Sequence, residues 1–331
     1  GRSSRRSIEG LAFWDAYERI SPPPRRKPSR HFASFDSWYS GGLGVSLRKI
    51  VEATRAELVL FNYVFHSRAL EFVSPSVNKI LDTHQVFSAE PGRATQSSLQ
   101  RGFFYCTADD EKKYIERADS TIALTREDFA LLKDIGVSRP IATVPYSVPF
   151  QPITPTLELL GKPRWGLVMS ANDNNLEALK GLIKATSMQF GDKPPFQLLV
   201  AGDIGKLAFR YFPHRAPSFL KRWIRYVGRV TNLSEFYQRV DGIVVPATYG
   251  TGMATKFVDA LSHGLPVVST KKGSRGADSV HRAHALSDLD ELAAYVGSMS
   301  ASDRSELASY SEELNSEIRA RATEGWASLN L

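Results

Sequence analysis

The stretch Val244-Val245-Pro246-Ala247-Thr248-Tyr249-Gly250-Thr251-Gly252-Met253-Ala254-Thr255-Lys256-Phe257-Val258-Asp259-Ala260-Leu261-Ser262-His263-Gly264-Leu265-Pro266-Val267-Val268-Ser269-Thr270 reads as a strand, a glycine turn, a helix and a second strand. Gly250 and Gly252 let the backbone come close to a ligand at the start of the helix, where unpaired N–H groups and the helix dipole favour an anion. Lys256 follows one turn in and adds a full positive charge. Asp259 lies further along the same face, where its carboxylate can accept from two vicinal hydroxyls such as those of a ribose. Gly264 closes the helix and Pro266 leads into the next strand. An ordinary strand–turn–helix needs the glycines alone. The whole 27-residue pattern is what makes this one specific. The P-loop pattern Gly-x-x-x-x-Gly-Lys-[Ser/Thr] and the dinucleotide pattern Gly-x-Gly-x-x-Gly are both absent.

Around this stretch, short apolar runs alternate with amphipathic ones. Strands are expected at Gly166–Ser170, Phe196–Ala201, Arg225–Val227, Gly242–Val245 and Leu265–Ser269. Helices are expected at Asn174–Met188, Leu233–Arg239, Met253–His263 and Asp288–Met299. The N-terminal half repeats the alternation, with strands at 57–63, 78–83, 120–125 and 141–144 and helices at 109–118 and 127–135. Buried strands alternating with helices imply parallel βαβ units. The fold expected is therefore α/β, with two Rossmann-like, doubly wound domains facing a central cleft. Residues 1–151 form the first, the proline-rich segment 152–164 the linker, and residues 165–331 the second. The first domain has four clear strands and does not open on one, so its leading βαβ portion is expected to be missing or shortened. Ile8 to Ile20 has helical periodicity.

Composition narrows the class. The 331 residues are 42% apolar and 23% charged, as in ordinary globular chains. The single cysteine, Cys106, rules out an internal disulfide framework and a multi-cysteine zinc site. His281 and His284 form no ligand set with it, so no protein metal site is expected. No apolar run is long enough to span a bilayer and no signal peptide is apparent, so a cytoplasmic protein is expected. Of the net charge of +7, most lies in residues 1–30, where eight Lys or Arg face three acids. The body is nearly neutral, which argues against a nucleic-acid groove. Arg25-Arg26-Lys27-Pro28-Ser29-Arg30, with Phe13, Trp14 and Tyr17 nearby, is instead a candidate contact with an anionic membrane surface, peripheral on the inner leaflet. A solvated basic tail is the plainer reading of the same residues.

With these residues in view, the glycine-turn block resembles the donor-binding signature of GT-B glycosyltransferases, in particular retaining enzymes of glycosyltransferase family 4. In that pattern two acidic residues flank the turn. Asp259 stands at the second position and would bind the donor ribose; Thr251 stands at the first, as in a Gly-Thr-Gly variant. Tyr226-Val227-Gly228-Arg229-Val230 is similar to the family's segment near the nucleobase. Gly166 to Asn172 is similar to the first strand and loop of its C-terminal domain, and Leu81 to Phe87 to the N-domain strand end that carries an active-site histidine. The resemblance covers about residues 57–275. It implies transfer of a sugar from a UDP- or GDP-linked donor to a glycan or lipid-linked acceptor, with retention and with no metal or other cofactor.

One departure bears on the chemistry. The loop where the family places cations for the pyrophosphate reads Ser170-Ala171-Asn172-Asp173-Asn174-Asn175. Lys256, Arg229 and the amides of Gly250, Thr251 and Gly252 must then carry the phosphate charge. The candidate catalytic residues are His84 at a strand end and Asp82, two residues earlier on the same strand face. Asn62, His66 and Thr125 are weaker candidates. A structural histidine is the plainer reading of His84. Two other functions stay open on sequence: a UDP-sugar epimerase, which needs cleft carboxylates and histidines not found here, and a non-catalytic nucleotide-sugar-binding protein.

Overall fold

The computed structural model describes residues 35–39, 41–88, 106–153, 161–206 and 222–329. The expected helix at 8–20, the basic run at 25–30 and most of the proline-rich linker lie outside them. By contacts, the described residues of Arg26–Ser147, Thr251–Met253 and Ile318–Leu331 form one compact unit. Those of Val148–Gly250 and Ala254–Glu317 form the other.

The first unit is built on a parallel sheet of β1 (Leu58–Asn62), β2 (Asn78–Asp82), β3 (Ser120–Ala123) and β4 (Ile141–Thr143), ordered as in the chain. Helices α1 (Gly41–Thr54), α2 (Ala108–Ile115) and α3 (Arg126–Asp134) accompany it. Its centre is apolar, with Phe35, Leu70, Leu81, Tyr114 and Ile115 essentially inaccessible. The register pairs Asn62 with Asp82, so two polar residues end adjacent strands side by side. Helix α1 was not foreseen, because Gly41, Gly42 and Gly44 open it and break the expected periodicity. Gly44 is held by close packing, since any Cβ there would collide with Tyr39 and Phe72.

The second unit carries β5 (Arg164–Val168), α4 (Asp173–Phe190), β6 (Gln197–Ala201), β7 (Ile224–Gly228), α5 (Leu233–Tyr237), β8 (Gly242–Val245), α6 (Thr255–Ser262), β9 (Val267–Ser269) and α7 (Leu289–Ser298). The sheet is parallel, ordered β7-β6-β5-β8-β9. The chain therefore runs outward from β5 to β7, then returns to β8 on the other side of β5. That reversal is a topological switch point. A crevice opens there at the strands' carboxyl ends, bordered by the β5–α4 loop and the β8–α6 turn. Trp165, Leu167, Phe196, Val200 and Leu292 lie in the core of this unit.

The last helix, α8 (Ala301–Ala327), was also not expected. Its buried stripe includes Leu307, Leu314, Ile318 and Ala322, interrupted by Ser311 and Asn315. Those polar residues hide the helical period from a hydropathy reading, yet both find partners. Ser311 donates to the carbonyl of Leu265 at 2.7 Å and Asn315 Nδ2 to that of Val148 at 3.3 Å.

Candidate active site

The glycine turn sits at the switch point and is shaped by its backbone. Gly250 has φ +131° and Gly252 has φ +66°, conformations that side chains resist. The hydroxyl of Thr270, just after β9, donates to the carbonyl of Ala247 and steadies the turn's first limb. The amide of Ala254 donates to the carbonyl of Arg275 at 3.1 Å, tying the second limb to the loop beyond β9. Helix α6 then begins without a side-chain cap, since Ala254 has nothing to offer. Phe257 and Val258 donate to the carbonyl of Ala254. Among the described residues, the amides of Thr255 and Lys256 have no acceptor.

Lys256 is mostly buried, and burial, with help from the Arg275 charge, lowers its pKa from 10.5 to about 8. Its Nζ donates to Oδ1 of Asn175 at 3.3 Å. Asn175 belongs to the loop that sequence reading found empty of cations. Its Nδ2 donates to the carbonyl of Ser170 at 2.8 Å, and Asn172 caps α4 by accepting from the Asn175 amide. That loop therefore supplies an acceptor for the lysine from the opposite side of the switch point. Asp259 follows one turn along α6. Its carbonyl accepts from Ser262 Oγ and His263 Nδ1, both at 2.7 Å, and Gly264, at φ +68°, ends the helix. Thr251 is half-buried.

Arg275 escaped the sequence reading. It lies in a loop with no spacing motif to mark it, after Lys271 and Lys272. The structure lays its guanidinium over Gly250, where a Cβ would come within 2.9 Å of Cζ. Arg229, by contrast, is exposed just past β7, at the edge of the sheet. Three strand positions separate β7 from β8, roughly 14 Å at about 4.8 Å per strand. The fold thus puts Arg275 at the turn, and Arg229 well along the sheet from it. Near Arg229, the half-buried Tyr226 has its phenol pushed up to about 12 by burial.

In the first unit, His84 is not a strand residue but a left-handed turn beyond β2, at φ 59°. Asp82 and His84 therefore meet through the turn and not through strand alternation. Asp82 Oδ1 accepts from the His84 amide at 3.1 Å, and Oδ2 lies 3.5 Å from His84 Nε2. The same Nε2 is 3.2 Å from Oδ1 of Asn62. Two oxygen acceptors facing Nε2 place a proton there, and among the described residues Nδ1 has no partner. Tyr63, also left-handed at φ 65°, stacks on the imidazole with centroids 4.0 Å apart. Two non-glycine residues in this costly region, at neighbouring strand ends, mark stored strain.

The loop beyond His84 is anchored from below. The amides of Phe87 and Ser88 each donate at 2.7 Å to the carboxylate of Glu111, which is fully buried. Burial raises the pKa of that carboxyl, and it raises that of Asp82 against the opposing pull of His84. Gly252 belongs by contacts to this same unit, and a Cβ on it would collide with the carbonyl oxygen of His84. Of the weaker candidates, Asn62 reaches His84. Thr125 instead caps α3, accepting from the Asp128 amide at 2.9 Å. His66 lies in the 3-10 segment Val64–Phe72 at a non-helical φ of −120°. Among the described residues no cluster of His, Cys, Asp and Glu could hold a metal ion, and no helix is long and apolar enough to cross a membrane.

Residues 163–302 match the family model described as Glycosyl transferases group 1. No curated protein sequence matches the chain. Among solved structures, HepE of Anabaena in complex with UDP superposes with a TM-score of 0.66 at 13% identity, covering 87% of this chain and 82% of that one. Sucrose-phosphate synthase from Thermosynechococcus elongatus gives 0.62 at 18% identity, covering 87% and 78%. A TarM variant of S. aureus, in complex with UDP, fondaparinux and a GlcNAc-glycerol, gives 0.66 at 13% identity, covering 87% of this chain and 58% of that one. Residues 163–302, most of the second unit, are thus similar to group 1 glycosyl transferases, and the chain shares the two-sheet α/β fold of these solved structures.

Proposed function

We propose that this protein transfers a sugar from a nucleotide donor to a glycan or lipid-linked acceptor. One observation carries the reading. The glycine turn, Lys256 and Arg275 meet at the switch point of a domain that matches glycosyl transferases. The donor nucleotide is UDP or GDP, with UDP favoured because HepE and TarM are both described in complex with it. When the bond from the anomeric carbon to the diphosphate oxygen breaks, negative charge grows on the leaving group. Fixed cations and amides stabilise that charge without reorganising. This arrangement serves transfer without a metal, and the family resemblance adds retention at the anomeric carbon. Asp259 takes the ribose hydroxyls, and His84 contacts the reacting sugar or the acceptor hydroxyl through Nδ1.

Titration calorimetry with UDP and GDP tests the donor site. Asp259→Ala should weaken nucleoside diphosphate binding by about 10- to 100-fold, the worth of hydrogen bonds to a charged group. A 2′,3′-dideoxyribose analogue should bind wild type and variant alike. Equal affinity of both proteins for the natural nucleotide, with matching melting curves, would return Asp259 to an ordinary helix surface. Donor hydrolysis or transfer, measured with a radiolabelled sugar nucleotide, separates an enzyme from a binding protein.

A further inference from the structure

We infer that Arg275 is a diphosphate-binding residue of the donor site and takes the place of the cations that the Ser170–Asn175 loop lacks. The inference rests on the reading of the glycine turn as the diphosphate site. It adds a residue from a different loop, one that no motif marks.

Three observations converge on it. The guanidinium lies directly over Gly250, in the space that a side chain at that position would occupy, with Cζ, Nη2 and Nε 2.9, 3.0 and 3.2 Å from the place of a Cβ. The bare glycine therefore makes room for the arginine as well as for a close backbone approach. Next, Arg275 is near enough to Lys256 to depress the lysine's pKa. An anion of two or more charges seated between two such cations turns their mutual repulsion into attraction. Last, the loop on the other side of the switch point has turned from donor to acceptor. Asn175 Oδ1 holds the lysine ammonium at 3.3 Å, and no Lys or Arg stands in Ser170–Asn175.

The side chain also braces its own loop. Nη1 donates to the carbonyl of Lys272 at 3.0 Å. The contact that ties this loop to the turn, however, is made by the Arg275 carbonyl, which accepts from the Ala254 amide and survives any side-chain change. Guanidinium is also the group whose fork of donors fits two phosphate oxygens at once.

The test is calorimetric binding of UDP, UMP and uridine to wild type, Arg275→Gln, Arg275→Lys and Asp259→Ala, with a melting curve for each. Arg275→Gln should lose about 10- to 100-fold in affinity for UDP, less for UMP and nothing for uridine. Arg275→Lys should recover part of the loss, because it restores charge without the fork. Unchanged UDP affinity in Arg275→Gln, beside a weakened Asp259→Ala, would overturn the role of Arg275 and leave the donor site standing. Wild-type affinity in every variant, or no binding of UDP or GDP by wild type, would overturn the site itself. If Arg275→Gln melts early, the folded Arg275→Lys decides. Wild-type affinity for UDP and UMP alike in that variant would show that the fork is not used, and would count against the inference.

Discussion

Lys256→Met should make the ligand-free protein more stable and the donor site much weaker. The lysine is mostly buried, shares its surroundings with Arg275 and has one long hydrogen bond, to Asn175 at 3.3 Å. Its pKa near 8 in the folded protein, against 10.5 in the open chain, fixes the direction of the effect. Between those values the unfolded chain holds the proton and the folded one has released it, so stability rises with pH across the window. Below pH 8 the cost of the buried charge is present in full. Methionine removes it while filling the same space, for a gain on the order of 1–3 kcal/mol at neutral pH. Scanning calorimetry at several pH values checks this. The melting temperature of the variant should exceed that of wild type at pH 7, and the gap should close as the pH climbs toward 10. UDP affinity should fall by about 10- to 100-fold, because a charge-assisted contact to phosphate is lost. A variant less stable than wild type at pH 7, or one that binds UDP equally well, would refute the assignment. Residues that oppose stability in the empty protein are a common mark of sites built for a charged ligand.

His84→Ala should lower kcat by tenfold or more and leave UDP affinity nearly unchanged. The imidazole is held on three sides, by Asn62 and Asp82 at Nε2 and by Tyr63 across its face. Only Nδ1 is left to meet a substrate. A contact made mainly in the transition state reduces kcat and kcat/KM together and spares ground-state nucleotide binding. Alanine is a poor occupant of φ 59°, so His84→Asn is the better control, because asparagine tolerates the left-handed region. Both variants should lose turnover, and His84→Asn should keep the wild-type melting temperature. Steady-state transfer assays paired with nucleotide titration would show this. Full activity in a stable His84→Asn would make the histidine a structural residue.

The strands of both sheets could be read from the sequence because they are short, apolar runs, with β3, β8 and β9 buried along their whole length. So could the glycine turn with Lys256 and Asp259, which lie together in one local segment. What could not be read is what depends on long-range meeting. Arg275 comes to Gly250 from beyond the next strand, and Asn175 comes to Lys256 across the switch point. Neither contact leaves a spacing signal. The long helix α8 stayed hidden for a different reason, since Ser311 and Asn315 occupy its inner stripe and donate to distant carbonyls. The pairing of Asp82 with His84 was anticipated for the wrong geometry. Strand alternation suggested it, and a left-handed turn accomplishes it.

The uncapped start of α6 has a consequence in time as well as in space. Thr107, Thr125, Asn172, Asn232 and Asp288 each close the first turn of a helix with a side-chain oxygen, whereas Ala254 leaves that of α6 open. A helix end held in this way frays at little cost, and its amides exchange with solvent far faster than those of a capped neighbour. In the empty protein the Thr255 and Lys256 amides should therefore trade hydrogen for deuterium well before that of Asn175, which the Asn172 side chain holds at the start of α4. A bound diphosphate would supply the missing acceptor and slow that exchange. The first turn of this helix would then be a segment completed by its ligand, its protection factor a direct measure of how fully the site is occupied.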